Sequence, residues 1–311
     1  MAALTGTSRR FLTRLGEGLI AIWGVVTIVF VVSRLLGDPA VLLLPIGASQ
    51  AQLQELRVQL GLDQPLAVQY LTFLADLLHG DFGQSFQFSR PALEVVLERL
   101  PATALLAVTA LVIGIAVGGI AGALAAIYRG SILEAAVMCI ALLGQATPSF
   151  WLAIMLILVF AVDLGWLPTG GYGTWQHLVL PAVTLACFTT ASIARLLRSS
   201  MLDVLREDYI RTAQAKGLMP RSIYIRHVIR NSLIPVVTMV GILAGELLGG
   251  AAVTETVFGW PGVGRVIVQA IETKDFPVVQ AGVAIVATIF VAVNLLVDGL
   301  YAVLDPRIRQ S

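Results

Sequence analysis

REDYIRTAQAKGLMPRSIYIRHVIR, residues 206–230, is the stretch on which the reading of this chain turns. Arg206, Arg211, Lys216, Arg221, Arg226 and Arg230 all fall within it, out of 20 Lys and Arg in 311 residues. The chain around it is 58% hydrophobic and only 13% charged, with a mean hydropathy of +0.89. Soluble domains carry about 25% charged residues, so this composition places the chain in a membrane. The polar stretch is then a break between apolar runs, and the fold follows from counting the runs on either side.

A spanning helix needs about 20 mostly apolar residues. Runs of that kind lie near 15–36, 101–128, 134–162, 178–198, 232–257 and 277–298. The first follows Arg9, Arg10 and Arg14, is long for a signal sequence and precedes no small-residue cleavage site, so it reads as a retained span. The third contains GQATPS at 144–149, and Pro148 predicts a kink there. An even number of spans puts both termini on one side. If that side is cytoplasmic, it holds Arg9, Arg10, Arg14, Arg129, the eight basic residues from Arg195 to Arg230, Arg307 and Arg309. Only Arg34, Arg57, Arg90, Arg99, Arg265 and Lys274 fall on the other. This bias satisfies the positive-inside rule, and the reverse orientation violates it. Arg195 and Arg198, at the end of the fourth run, are placed to snorkel toward the interface.

The expected fold is therefore all-α and integral to the membrane. It has six spans, a long extracytoplasmic helical segment at about 37–100, and a cytoplasmic loop at about 199–231. No linker or low-complexity tract divides residues 1–311, which read as one domain. Within the outer segment, Ser49 and Gln52 form a capping box and Gly61 closes that helix. Pro65 sits at the first position of the next helix, which ends near Gly80, and Ser89 starts a third. Two spans carry glycine every fourth residue: Gly114, Gly118 and Gly122, flanked by Ala110 and Ala126, and Gly241, Gly245 and Gly249. Each series lines one helix face and predicts close packing, without naming the helix that fills it.

Several function classes find no support. Net charge is +1, so nothing points to nucleic acid. There is no P-loop, and the only lysines are Lys216 and Lys274. No nucleophile elbow or paired-histidine zinc motif occurs. Cys139 and Cys187 lie in apolar runs and read as small hydrophobes, and His79, His177 and His227 stand apart from one another. Glu246 in the fifth run reads equally as a translocation-path residue meeting a substrate cation and as a packing residue at a helix interface. Asp298, near the end of the sixth run, reads as interfacial. A proton-coupled secondary transporter would use Glu246 and Asp298 as relays, but the inverted repeats expected of one are absent from the sequence. A membrane adaptor would need only the docking loop.

In the opening stretch, Met201, Leu205, Tyr209 and Ala213 recur every four residues and predict an apolar stripe on a helix of about 14 residues. Gly217 stands just past its end with Leu218 as hydrophobic partner, and Pro220 opens a second helix running into span five. Basic residues spaced by five scatter around a helix of 3.6 residues per turn, which disfavours a lipid-binding face. The stretch reads as a docking element touched by protein, with Ala213 and Gly217 marking the bend.

EDYIRTAQAKGL with RHVIRNSLIPVVT resembles the cytoplasmic loop of ABC-importer permeases of the dipeptide, oligopeptide and nickel group, closest in look to dipeptide and glutathione permeases. LGLDQPLAVQY at 60–70, HGDFGQS at 79–85, ERLPAT at 98–103, LGWLPTGGYGTWQHLVLPAVTL at 164–185, VFGWPGVGR at 257–265, GDP at 37–39 and LVDGLYAVLDPRIR at 296–309 match in order. The broad importer motif places Glu-Ala-Ala six residues before its glycine. Aligned on Gly217, Arg211 and Thr212 replace the first two residues, Ala213 fits, and Pro235 arrives late. The resemblance implies a bacterial plasma-membrane permease with both termini cytoplasmic. Glu207, Tyr209, Arg211, Ala213, Lys216 and Gly217 would then dock an ATPase. A second permease subunit, two ATPase subunits carrying ATP and Mg, and an extracytoplasmic binding protein would be its partners in surrounding lipid. No cofactor is expected on this chain. Peptides are the implied substrates, with glutathione or a nickel chelate as alternatives.

Overall fold

The computed structural model describes residues 2–35, 40–41, 44 and 48–304, with only the backbone for 2–11, 249–250, 298 and 300–304. The GDP at 37–39, the end at 305–309 with Arg307 and Arg309, the side chains of Arg9, Arg10 and Asp298, and the surroundings of Gly249 lie outside the described residues. Among the described residues every element is helical, apart from an isolated bridge between Gln84 and Pro91. In order these are α1 (Ala2–Leu35), α2 (Gln50–Gln59), α3 (Leu66–Leu78), α4 (Ala92–Ile127), α5 (Ile132–Ala146) and α6 (Ser149–Leu156), which runs on as a π-helix over Ile157–Asp163. Then follow α7 (Trp175–Val204), α8 (Asp208–Ala215) and α9 (Arg230–Gly250), the last entered through Pro220–Ser222 and a π-helix over Ile223–Ile229. α10 (Ala252–Val257), α11 (Val263–Glu272) and α12 (Phe276–Leu304) complete the described residues. α1, α4, α7, the helix over Pro220–Leu248, and α12 are long and apolar enough to span a membrane, and α5 with α6, bent by 105°, makes a sixth if the pair is counted as one span.

Local signals held where they depend on neighbouring residues. The Ser49–Gln52 capping box is formed in both directions, and Gly61 and Gly80 take positive φ at the ends of α2 and α3. Pro65 stands one place earlier than expected, at the N-cap of α3. Three boundaries differ more. The helix expected from Ser89 and the span expected from 101 are one helix, α4, with Pro101 inside it. Proline removes one donor there, but burial on both sides keeps the helix intact: Val95 and Val96 precede it, Ala102 and Leu106 follow, and all four are buried. At Pro148 the third span breaks rather than kinks. Thr147 is extended (φ −77°, ψ 124°), as a residue before proline prefers, and its hydroxyl donates to Leu143 O at 2.7 Å. The fifth span starts earlier and stops earlier than expected, and Ala251 separates it from α10. Glu246 therefore lies four residues from the end of α9 and is exposed.

Among the described residues, both glycine series are filled from within the chain. A Cβ on Gly118 would lie 2.7 Å from Thr190 O and one on Gly122 2.5 Å from Ala194 O, while Gly114 meets Thr189. These residues seat α7 against α4, the most extensive helix pair in the fold. Gly241 and Gly245 likewise receive Val297 and Phe290 of α12. In lipid such close backbone approach, with its van der Waals contact, replaces the hydrophobic effect as the force between helices.

Two ends follow from the contacts. At one, Arg198 Nε donates to Glu134 Oε1 at 2.7 Å, joining the C-terminal half of α7 to the first turn of α5 near the 205–229 loop. Arg198 is thus a paired residue rather than a simply snorkelling one. At the far end, Gly171 N donates to Phe258 O at 2.8 Å, and Asp275 accepts from the Ser85 hydroxyl and from Gln87 N at 3.2 Å.

Candidate functional site

The loop between α7 and α9 is built by a broken helix and two caps. α7 stops at Val204, where Arg206 N and Glu207 N turn back to Asp203 O and Val204 O. Glu207 is extended (φ −65°, ψ 143°) and opens α8. The single helix of about 14 residues expected here is therefore two, and the break resets the helical phase. Ile210, not Tyr209, points inward. Ile210 is fully buried, and with Ala213 it packs among Leu197, Met201, Ile223 and Val228. Tyr209 turns outward at 43% exposure, and its hydroxyl accepts from Asn231 Nδ2 at 3.0 Å.

α8 ends in a Schellman turn: Leu218 N reaches Ala213 O at 3.3 Å and Gly217 N reaches Gln214 O at 2.9 Å. Gly217 adopts φ +75°, with open space where a Cβ would stand. Pro220 then begins the next helix at its first position. Of the six expected docking residues, Glu207, Tyr209, Arg211, Lys216 and Gly217 are exposed on this turn, and Ala213 faces the spans. Arg211 reaches Asp208 at 3.5 Å, but with side chains 74% and 94% exposed this pair contributes little. Leu218 and Met219 stand out beside Gly217 at 42% and 76% exposure. No signal in the sequence singles out Met219. Glu246 lies far from this cluster, near the opposite end of α9.

The far end holds a charged site that the sequence did not reveal. Glu255 on α10 is completely buried. It accepts from the Thr103 hydroxyl of α4 at 2.7 Å and from Arg265 N at the start of α11 at 3.0 Å. Thr103 in turn accepts from Val263 N at 2.8 Å, and Trp260 Nε1 donates to Ala102 O at 2.9 Å. A side chain on Gly262 would collide with the carboxylate, and one on Gly264 would reach 2.5 Å from Ala252 Cα. The VFGWPGVGR segment thus wraps a carboxylate that ties α10 and α11 to α4. Burial pushes the Glu255 carboxyl above its ordinary value, against the pull of the Thr103 hydroxyl and the amides of residues 264 and 265. A carboxyl held up in the fold favours folding at pH values below its unfolded pKa, and that contribution fades as pH rises through the raised value. Replacing Glu255 with Ala strands buried donors on two helices, and thermal melting of the detergent-solubilised chain should show a loss of about 1–3 kcal/mol.

A family model described as "Binding-protein-dependent transport system inner membrane component" matches residues 114–310, and the N-terminal model of such membrane components matches residues 8–107. A putative peptide transport system permease protein of Brucella abortus is 44% identical over 307 residues, covering 96% of this chain and 98% of that one. The glutathione transport system permease protein of Escherichia coli K12 is 42% identical over 294 residues, covering 92% and 96%. Among solved structures, an inward-facing methionine ABC transporter aligns with 68% of this chain and 96% of its own at TM-score 0.55 and 18% identity, a likeness of fold. The chain belongs to the binding-protein-dependent transport system inner membrane components, the multi-pass permease subunits of ABC importers.

Proposed function

We propose that this chain forms half of a translocation pathway for peptides or small peptide-like solutes, paired with a paralogous permease subunit. The 205–229 loop faces the cytoplasm, as do both termini, and each permease seats one ATPase subunit. ATP and Mg act on those ATPase subunits, and an extracytoplasmic binding protein delivers the substrate. The observation that carries the reading is the shape of the loop. A Schellman turn projects Gly217, Leu218 and Met219, while Ile210 and Ala213 fix α8 to the spans behind them. A load applied at that turn has a rigid path into α7 and α9. The basic bias toward the same side supports the orientation. The peptide class rests on relatives named for peptide and for glutathione transport, which is itself a tripeptide. Residues 1–311 act as one membrane unit in this reading.

The test is reconstitution. Affinity purification of the tagged chain should bring down ATPase subunits and a second permease, and uptake of labelled dipeptides or glutathione should require ATP. Uptake driven by a proton gradient with no ATPase bound would refute the proposal. Glu246 is assigned to the outer mouth of the pathway, since it is exposed close to the far end of α9. If Glu246→Gln leaves uptake rate and substrate range unchanged, Glu246 has no part in the path.

A further inference from the structure

The helix entering the fifth span departs from α-geometry at one place, the π-helix over Ile223–Ile229 immediately after the docking turn. A π-ladder bonds i to i+5, so it holds one more residue per turn than its α flanks and leaves carbonyls unmatched where the two ladders meet. Two side chains from the first turn of the following α-helix reach carbonyls of the π-segment. Asn231 Nδ2 donates to His227 O at 2.8 Å, and Ser232 Oγ donates to Val228 O at 2.8 Å. The same Asn231 amide donates to Tyr209 Oη on α8 at 3.0 Å, and Ser200 Oγ of α7 donates to Ser232 O at 3.2 Å. Through Asn231 and Ser232 the end of the wide turn is therefore tied to both neighbouring helices of the loop. Buried Ile223 and Val228 hold the segment against the spans, while Ile225 and Arg226 face outward.

We propose that Asn231 is a positioning residue for transport, tying the exposed Tyr209 of α8 to the π-turn so that movement of α8 re-registers the start of α9. Passing the wide turn along the helix by one residue shifts that residue by about 1.5 Å and 100° without unwinding the helix ends. This rests on the docking reading of α8. It adds that docking and transmission are separable, and that transmission runs through one carboxamide.

The experiment uses the complete importer in proteoliposomes, with Asn231→Leu and Asn231→Ala variants, labelled dialanine and glutathione as probes, and three readouts. ATPase co-purification and ATP hydrolysis should stay within about twofold of wild type while uptake falls about tenfold, the size of one lost hydrogen bond in the coupled state. Hydrogen exchange at amides 228–234 of the wild type should differ between the nucleotide-free and vanadate-trapped states, and the variants should lose that difference. Full uptake by both variants overturns the proposal. So does loss of uptake together with loss of bound ATPase, which would make the contact merely structural, and so does equal exchange in the two wild-type states. Should Asn231→Leu fail to accumulate, Asn231→Ala decides, since it removes only an exposed carboxamide and alanine is a good helix former. A wild-type chain that binds no ATPase refutes the docking reading itself and this proposal with it.

Discussion

A Gly217→Val chain is expected to insert and fold but to lose about tenfold or more of ATP-driven uptake. The argument rests on backbone conformation, not on space. Gly217 holds φ +75°, and a Cβ placed there meets nothing within 4 Å. A left-handed conformation costs an ordinary L-residue about 1–2 kcal/mol, and a β-branched residue is among the poorest fits. The chain relieves that cost by opening the Schellman turn, which swings exposed Leu218 and Met219 away from their positions and moves the start of the Pro220 helix. The spans are untouched, so the defect should appear as loss of ATPase co-purification and uptake, with an unchanged melting profile of the isolated permease. Gly217→Asn serves as the matched control, since asparagine tolerates the left-handed region and should keep most of the activity. Gly217→Trp adds bulk to the same exposed turn and should block docking outright. Normal assembly and uptake in the valine and tryptophan variants would remove this turn from the docking site.

How far the sequence could be read depended on how far each signal reached along the chain. The capping box at Ser49, the Schellman turn at Gly217 and the proline start at Pro220 each depend on residues within a few positions, and each was legible. The glycine spacing showed that helices pack closely, but not that Thr190 and Ala194 fill the groove, because nothing local links residue 118 to 190. The stripe through Tyr209 failed for a specific reason. Periodicity assumes an unbroken helix, and the turn at Leu205–Glu207 shifts the phase by one residue, so Ile210 takes the inward place. Glu255 was hidden because it ends an apolar run and its donors come from Thr103 and Arg265, the first of them 152 residues away. The one available hint was the pair Gly262 and Gly264, whose missing side chains make room for the carboxylate and for α10. Glu246 stands nearer a helix end than the run 232–257 implied, because an apolar run does not show where a helix ends, and Ala251 breaks the run that the sequence extended to 257.

The largest structural effect is expected at the α4–α7 seam, where adding a single methyl should separate two otherwise similar glycines. In Gly122→Ala the new Cβ stands 2.5 Å from Ala194 O and 3.0 Å from Ala194 Cα, so the obstacle is backbone and cannot rotate away. In Gly119→Ala, three residues earlier on the same helix, nothing lies within 4 Å. Forcing a methyl into a filled site typically costs about 1–3 kcal/mol, and a backbone obstacle puts Gly122 at the upper end or beyond. The seam has little means of adjusting, because α7 is also pinned to α5 through Arg198 and Glu134 and holds Leu197 and Met201 in the packing beneath the loop. Parting α4 from α7 would therefore loosen the support of α8 as well, so Gly122→Leu should fail to accumulate in the membrane at all. Gly119→Ala should melt at or above the wild-type temperature, since alanine is the better helix former by about 1 kcal/mol. Thermal melting of both alanine variants in the same detergent is the measurement. Equal stability for the two would mean that the glycines of α4 serve lipid or another chain, and that α7 is held by other contacts.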